Sequence, residues 1–256
     1  MKERTSIVEK ELFCPYEQGN LYGVLYTPEK CSEKLPAVIV SHGIYSSYQM
    51  TSDTAKELAK EGFATYIFDF KGCSYSNKSG GDILKSSILT EKNELISVIE
   101  FIKKQSIIDS ERIFLLGQSM GGVVSALAAV DKVEDIRGLV LMYPALMANE
   151  FATSFFKTID EVPEVVEKFM GTQGLNVGKI FFEDIMNTDV KKEIAKFEKP
   201  VYIISGTEDK VVPIQTLDVA VGIYKDAILK KVQGAEHGFN LSPTQASEIA
   251  DFLEDC

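Results

Sequence analysis

Ile113-Phe114-Leu115-Leu116-Gly117-Gln118-Ser119-Met120-Gly121-Gly122-Val123-Val124-Ser125-Ala126-Leu127-Ala128 is the stretch that decides the fold. An unbroken apolar run of strand type passes directly into Gly-x-Ser-x-Gly, and small and apolar residues of a helix opening follow at once. A chain that turns this sharply from strand to helix strains the backbone of the central serine and lifts its hydroxyl clear of the sheet, which only small neighbours permit. The pentapeptide alone is weak, since glycine and serine are common enough that about one random chain in ten of this length contains it. Its place between strand and helix makes Ser119 the expected nucleophile.

The flanking segments repeat the same alternation. Ala37 to Val40, Ala64 to Phe68, Leu139 to Met142 and Val201 to Ile204 are short continuous apolar runs, the mark of strands buried on both faces. Between them lie helical patterns: Asp53 to Lys60 ending at Gly62, Glu91 to Lys104 with Leu95, Val98, Ile99 and Ile102 on one face, and Gln215 to Tyr224. The last helix opens at Ser242-Pro243-Thr244-Gln245, which supplies an N-cap serine, a proline at the first helical position and a glutamine for a capping box. The fold class is α/β, a mainly parallel sheet with helices on both sides. Ahead of it, Ile7 to Phe13 and Leu21 to Thr27 alternate around residues 14–20 as an antiparallel hairpin.

Residues 1–256 read as one domain, interrupted by an insertion at 145–198 that is too long for a single crossover helix. Val162, Val165, Val166, Phe169 and Met170 have the spacing of an amphipathic helix, and Ile180, Phe181, Phe182, Ile185 and Met186 form a second apolar cluster. The insertion leaves the sheet beside the strand carboxyl ends, where open α/β sheets bind ligands.

Composition narrows the partners. With 45% hydrophobic and 25% charged residues the chain has the make-up of an ordinary globular protein. Its formal net charge of -11 repels phosphate backbones and anionic lipid surfaces, so neither nucleic acid nor membrane is expected as a partner. The N-terminal segment Met1 to Lys10 has no apolar run behind it, and no stretch approaches the length of a membrane span, which points to the cytoplasm. The four cysteines, Cys14, Cys31, Cys73 and Cys256, lack C-x-x-C spacing and neighbouring histidines, so no metal site is expected. Cys14 and Cys31 flank the hairpin, but a reducing compartment argues against a disulfide.

A serine hydroxyl needs a base, and the base needs an orienting acceptor. The chain has only two histidines. His237 lies in the small-residue loop Gly234-Ala235-Glu236-His237-Gly238 after the run Ile228 to Val232, C-terminal to the serine, and is the expected base. His42, at the end of Val38-Ile39-Val40, is expected to shape its own loop through backbone hydrogen bonds. Asp209, in the loop after Val201 to Ile204, is the expected acid, with Glu208 as its neighbouring competitor. The order Ser119, Asp209, His237 is that of the α/β-hydrolases and not of chymotrypsin-like or subtilisin-like enzymes. The backbone N–H groups of Met120 and Ile44 are the expected oxyanion donors, with Gly43 allowing the close approach. No cofactor is called for, and Gly80-Gly81 lacks the residues of a phosphate loop.

Taken together, Ser41-His42-Gly43, Phe68-Asp69-Phe70-Lys71-Gly72-Cys73-Ser74-Tyr75-Ser76, Gly117 to Gly122, Lys199-Pro200-Val201 through Asp209, and Gly234 to His237 resemble the α/β-hydrolases over nearly the whole chain. Within them the chain resembles the small cinnamoyl or feruloyl esterases, near the monoacylglycerol lipase and serine aminopeptidase groups. It departs from similar esterases at Gly72-Cys73-Ser74, where they usually read Gly-His-Gly, and at Gln118-Ser119-Met120, where they usually read His-Ser-Gln. The resemblance implies ester hydrolysis through an acyl-enzyme, with small-molecule esters as substrates and the insertion as a lid over the acyl group. By the same token Phe181 and Phe182 would hold an aromatic acyl ring and Glu150 would meet a phenol. A lipase, thioesterase or peptidase with the same three residues, and a non-catalytic ligand receptor on the same fold, stay open at this point, as does a homodimer.

Overall fold

The computed structural model describes residues 6–171 and 175–256. Met1 to Thr5, part of the N-terminal segment read above, and Thr172 to Gly174 of the insertion lie outside the described residues. In chain order the strands and helices are β1 (Ile7–Tyr16), β2 (Gly19–Pro28), β3 (Leu35–Ser41), α1 (Ser52–Lys60), β4 (Ala64–Phe68), α2 (Ile88–Lys103), β5 (Ile108–Gln118), α3 (Met120–Asp131) and β6 (Ile136–Met142). They continue with α4 (Ala148–Phe155), β7 (Val165–Val166), β8 (Val177–Gly178), α5 (Lys179–Asn187), α6 (Val190–Ile194), β9 (Val201–Gly206), α7 (Ile214–Val221), β10 (Ala227–Val232) and α8 (Pro243–Glu254).

Eight strands form the main sheet in the order β1-β2-β4-β3-β5-β6-β9-β10. β1 with β2 and β2 with β4 are antiparallel, and every later pairing is parallel. The hairpin is tighter than its sequence suggests: the strands extend through Cys14-Pro15-Tyr16 and turn at Glu17, which takes a positive φ of 52°. In that register Cys14 faces Leu21 and is buried while Cys31 is exposed; both are free thiols.

Two apolar layers cover the sheet. On one face Ala55, Leu58 and Ala59 of α1 pack with Ile249 and Leu253 of α8 against Val38, Val40, Ile67 and Leu116. On the other, Leu95 and Val98 of α2, Val123 and Leu127 of α3 and Leu217 of α7 pack against Ile39, Leu115 and Ile203. This two-sided burial is what lets the parallel strands dispense with a polar face. The capping box read at Ser242 forms: its side chain accepts the Gln245 amide, and Gln245 accepts the amide of Ser242.

In the 145–198 segment the helix expected over Val162 to Met170 does not form. Val165–Val166 instead pair antiparallel with Val177–Gly178, and Lys168 and Met170 take φ values of 48° and 57°. Pro163 lies inside the apparent repeat and offers no amide to a helix. The second apolar cluster is α5, with Phe181, Phe182 and Ile185 buried.

Candidate active site

The strand order brings the loops after β3, β5, β6, β9 and β10 together at one carboxyl edge of the sheet. Ser119 joins β5 to α3 with φ 53° and ψ −120°, a strained conformation for a residue with a side chain. Its surroundings show why glycines flank it. A Cβ on Gly117 would strike the backbone of Gly121 and Gly122, one on Gly121 would strike the carbonyls of Ser41 and His42, and one on Gly122 would meet Pro144. The turn is held from outside as well: the Ser119 amide donates to Met142 O at 3.0 Å, and the amides of Gly122 and Ala145 both donate to Ser119 O at 3.0 Å.

His237 Nε2 lies 3.0 Å from Ser119 Oγ, and His237 Nδ1 lies 2.7 Å from Asp209 Oδ2. Asp209 is buried while Glu208 is exposed, which separates the two acids. The other Asp209 oxygen accepts the amides of Val211 and Val212, both at 2.8 Å. The acid loop is laced to the histidine loop by Glu208 N–H to Ala235 O at 3.0 Å and by Gly234 N–H to Thr207 Oγ1 at 2.9 Å. Because Asp209 can only accept, the His237 proton sits on Nδ1 and Nε2 is left as the acceptor facing Ser119.

Gly43 brings the β3 loop against this serine. A Cβ there would lie 3.1 Å from Ser119 Cβ and 3.6 Å from Oγ, so the backbone passes as close as glycine allows. Ile44 and Met120 line the same cavity as Ser119 and His237. Met120 opens α3, so its amide is one of the helix's unpaired N-terminal donors.

His42 does not reach into the cavity. Phe70 N–H donates to its Nε2 at 3.3 Å, which places the ring proton on Nδ1, 2.8 Å from Gly43 O. Burial holds its pKa below the ordinary histidine value, against the pull of Gly43 O and Asp69. His42, Asp69 and Cys73 bring ligand-type atoms within 4.8 Å of one another. As a donor set they do not fit a metal. Both His42 nitrogens are engaged, the Asp69 oxygens accept the amides of Tyr48 and Lys78 at 2.7 Å each, and burial pushes the Cys73 thiol far up. His42 and Asp69 instead tie the loops after β3 and β4 together.

The cavity over Ser119 measures about 380 Å³. Its walls include Met50, Met147, Ala148, Phe151, Met170 and Val212. The three insertion residues expected in it are placed elsewhere. Glu150 is half-exposed and paired with Lys191, Phe182 is fully buried in an aromatic cluster, and Phe181 borders a separate cleft with Tyr45, Ser86 and Glu91. Phe181 and Phe182 turn inward because they pack on one another and on Phe169. One residue missing from the sequence reading is Tyr143, at φ 39°, whose ring packs edge-on to His237 at 4.8 Å and lines the cavity. Its position directly after the run Leu139 to Met142 was the available signal. Burial, with help from the Asp209 carboxylate, pushes its phenol up, so it meets His237 as a neutral ring.

The sequence model of the family described as serine aminopeptidase, S33, matches residues 32–179, more than half of the chain. The chain belongs to this serine aminopeptidase family. The match takes in Gly43 and Ser119 and stops before Asp209 and His237. Among relatives of this S33 chain, an uncharacterized 31.7 kDa protein in the traX-finO intergenic region of Escherichia coli is 29% identical over 217 residues, 70% of this chain and 74% of that one. A monoglyceride lipase from Rattus norvegicus is 25% identical over 122 residues, 48% of this chain and 39% of that one. The solved structure of ferulic acid bound to Est1E from Butyrivibrio proteoclasticus superimposes with a TM-score of 0.85 at 21% identity, covering 95% of this chain and 98% of that one. The S33 chain thus has the α/β-hydrolase fold, with the antiparallel strands at its N-terminus. Among its described residues no helix is long and apolar enough to cross a membrane.

Proposed function

We propose that this S33 protein is a serine ester hydrolase working through an acyl-enzyme on small esters with an apolar acyl group. The observation that carries the reading is the two-sided contact of His237, with Asp209 on Nδ1 and Ser119 Oγ on Nε2. Ser119 Oγ attacks the ester carbonyl while His237 Nε2 takes its proton. The charge that develops on the carbonyl oxygen falls toward the amides of Ile44 and Met120, and His237 returns the proton to the departing alcohol. Water activated by the same imidazole then releases the acid. Residues 145–198 act as a lid, since Met147, Ala148, Phe151 and Met170 form one wall of the cavity.

The lining supports an apolar acyl group. Four of the seven methionines, Met50, Met120, Met147 and Met170, border the cavity, and thioether chains adapt to alkyl and aryl shapes alike. A cinnamoyl-type ring fits such a wall, but a phenol on it gains no charged partner, because Glu150 is engaged with Lys191. A second reading, lipase-like action on a monoglyceride, draws on the exposed apolar rim of Met50, Met170 and Val211. Hydrolysis of p-nitrophenyl acetate, butyrate and octanoate, methyl cinnamate, methyl ferulate and a monoglyceride tests these readings side by side. Ser119→Ala is expected to abolish turnover while keeping the fold. Full activity in that variant overturns the proposal.

A further inference from the structure

Tyr45 directly follows Ile44, and it holds a φ of 58°, a left-handed conformation that a bulky side chain adopts only when its surroundings impose it. On the other side of Ile44 stands Gly43, whose carbonyl lies 2.8 Å from His42 Nδ1 and whose backbone packs against Ser119. Ile44 is thus held from the β3 side by backbone contacts, and on its far side through Tyr45.

The Tyr45 ring packs edge-on against Phe169, with centroids 6.3 Å apart and planes at 68°. Phe169 is 2% exposed and also meets Phe151, Phe155, Phe181 and Phe182, so it is the hub of the insertion's aromatic cluster. Among the described residues, the Tyr45 and Phe169 pair is the one ring-to-ring contact that joins residues 145–198 to the loops around Ser119. The phenol oxygen contributes no hydrogen bond among the described residues. The grip is made by the ring. With the ring fixed, a change of φ at Tyr45 toward the ordinary negative range would redirect the chain at Ile44, which lines the cavity over Ser119.

We infer that Tyr45 is a positioning residue, whose ring, seated on Phe169, keeps the Ile44 amide aimed at Ser119 so that the oxyanion hole is complete only while the 145–198 segment is docked. This rests on the ester hydrolase reading above. It makes the segment more than a wall for the acyl group, because its seating bears on the Ile44 amide as well.

The test uses the full-length protein with Tyr45→Phe, Tyr45→Ala, Phe169→Leu and the double variant Tyr45→Ala/Phe169→Leu. It reads kcat and KM on p-nitrophenyl acetate, whose small acyl group leans little on the insertion, and the affinity of an alkyl boronic acid that forms a tetrahedral adduct with the serine. Tyr45→Ala is expected to lower kcat by ~10 to 100-fold, somewhat less than loss of a whole oxyanion donor, and to weaken the boronate in parallel while KM moves less than about threefold. Tyr45→Phe is expected to stay within about twofold of the parent. Phe169→Leu should lower kcat in the same sense, and the double variant should be no worse than Tyr45→Ala, since the two changes break one contact. If Tyr45→Ala does not fold, Phe169→Leu carries the same kcat-against-KM test. Parental kcat in Tyr45→Ala, a loss confined to KM, or a Tyr45→Phe variant as poor as Tyr45→Ala overturns this inference alone. Absence of Ser119-dependent turnover in the parent overturns the hydrolase reading and takes this inference with it.

Discussion

Asp209 divides its two oxygens between its own loop and His237: Oδ1 accepts the Val211 and Val212 amides at 2.8 Å each, while Oδ2 lies 2.7 Å from His237 Nδ1. The carboxylate is thus fixed before it meets the imidazole, and it has no freedom to choose another tautomer of the ring.

Asp209→Asn tests that relationship. With Oδ1 still accepting the two amides, the new NH₂ faces His237 Nδ1 and forces the ring proton onto Nε2, which can no longer take a proton from Ser119. A fall in kcat of about 10⁴-fold with little change in fold is expected. A loss under tenfold in ester turnover would remove Asp209 from the chemistry.

Ser119 sits at φ 53°, so its strain belongs to the backbone and survives replacement by alanine. Ser119→Gly relieves it. Ser119 is the N-cap of α3, where glycine already outranks alanine, and the positive φ adds to that preference, so Ser119→Gly should be more stable than Ser119→Ala by about 1 kcal/mol or more. Urea midpoints of the two inactive variants measure the difference, and an equal or reversed order contradicts it.

Glu91 and Glu94 lie one turn apart on α2, 8% and 4% exposed. Burial pushes Glu91 up to about 7 against the Ser86 hydroxyl, and Glu94 up to about 8 against the Lys71 amide. In the unfolded chain both titrate near the ordinary glutamate value of about 4.3. Between that value and about 8 the folded state holds more protons than the unfolded one, so stability falls as pH rises through the window. The loss should be on the order of a few kcal/mol for the pair. Denaturation midpoints at pH 5 and pH 8.5 give the slope, which Glu91→Gln with Glu94→Gln should flatten. A flat profile in the parent protein contradicts the prediction.

Gly43→Ala places a methyl 3.1 Å from Ser119 Cβ and 3.3 Å from Gln118 O. The neighbours are backbone and a strained serine, which cannot yield cheaply, so the β3 loop must retreat and carry Ile44 with it. A drop in kcat of about tenfold or more, with KM changed little, is expected from the displaced donor. Unchanged kcat on p-nitrophenyl acetate counts against Ile44 as a donor.

Local signals were legible and long-range ones were not. The Ser119 elbow, the Ser242 capping box and the strand runs are written in neighbouring residues, and the structure draws Ser119, Asp209 and His237 together as their chain order suggests. The spacing of Val162 to Met170 matched a helix, yet backbone pairing of Val165–Val166 with Val177–Gly178 and the burial of Phe169 decide that segment. Glu150 was legible as an acid near the cavity but not as the partner of Lys191, 41 residues away. The positive φ of Tyr45 and Tyr143 leaves no mark in the sequence, because tyrosine is the wrong residue to announce it.

β10 is the outermost parallel strand, and His237 hangs from the loop that follows it. During synthesis Ser119 emerges more than a hundred residues before His237, and His237 has nowhere to dock until β10 has paired along β9. A growing chain therefore carries Ser119 without the imidazole that the proposed reaction needs, and the three side chains meet only once β10 has been made and has paired with β9.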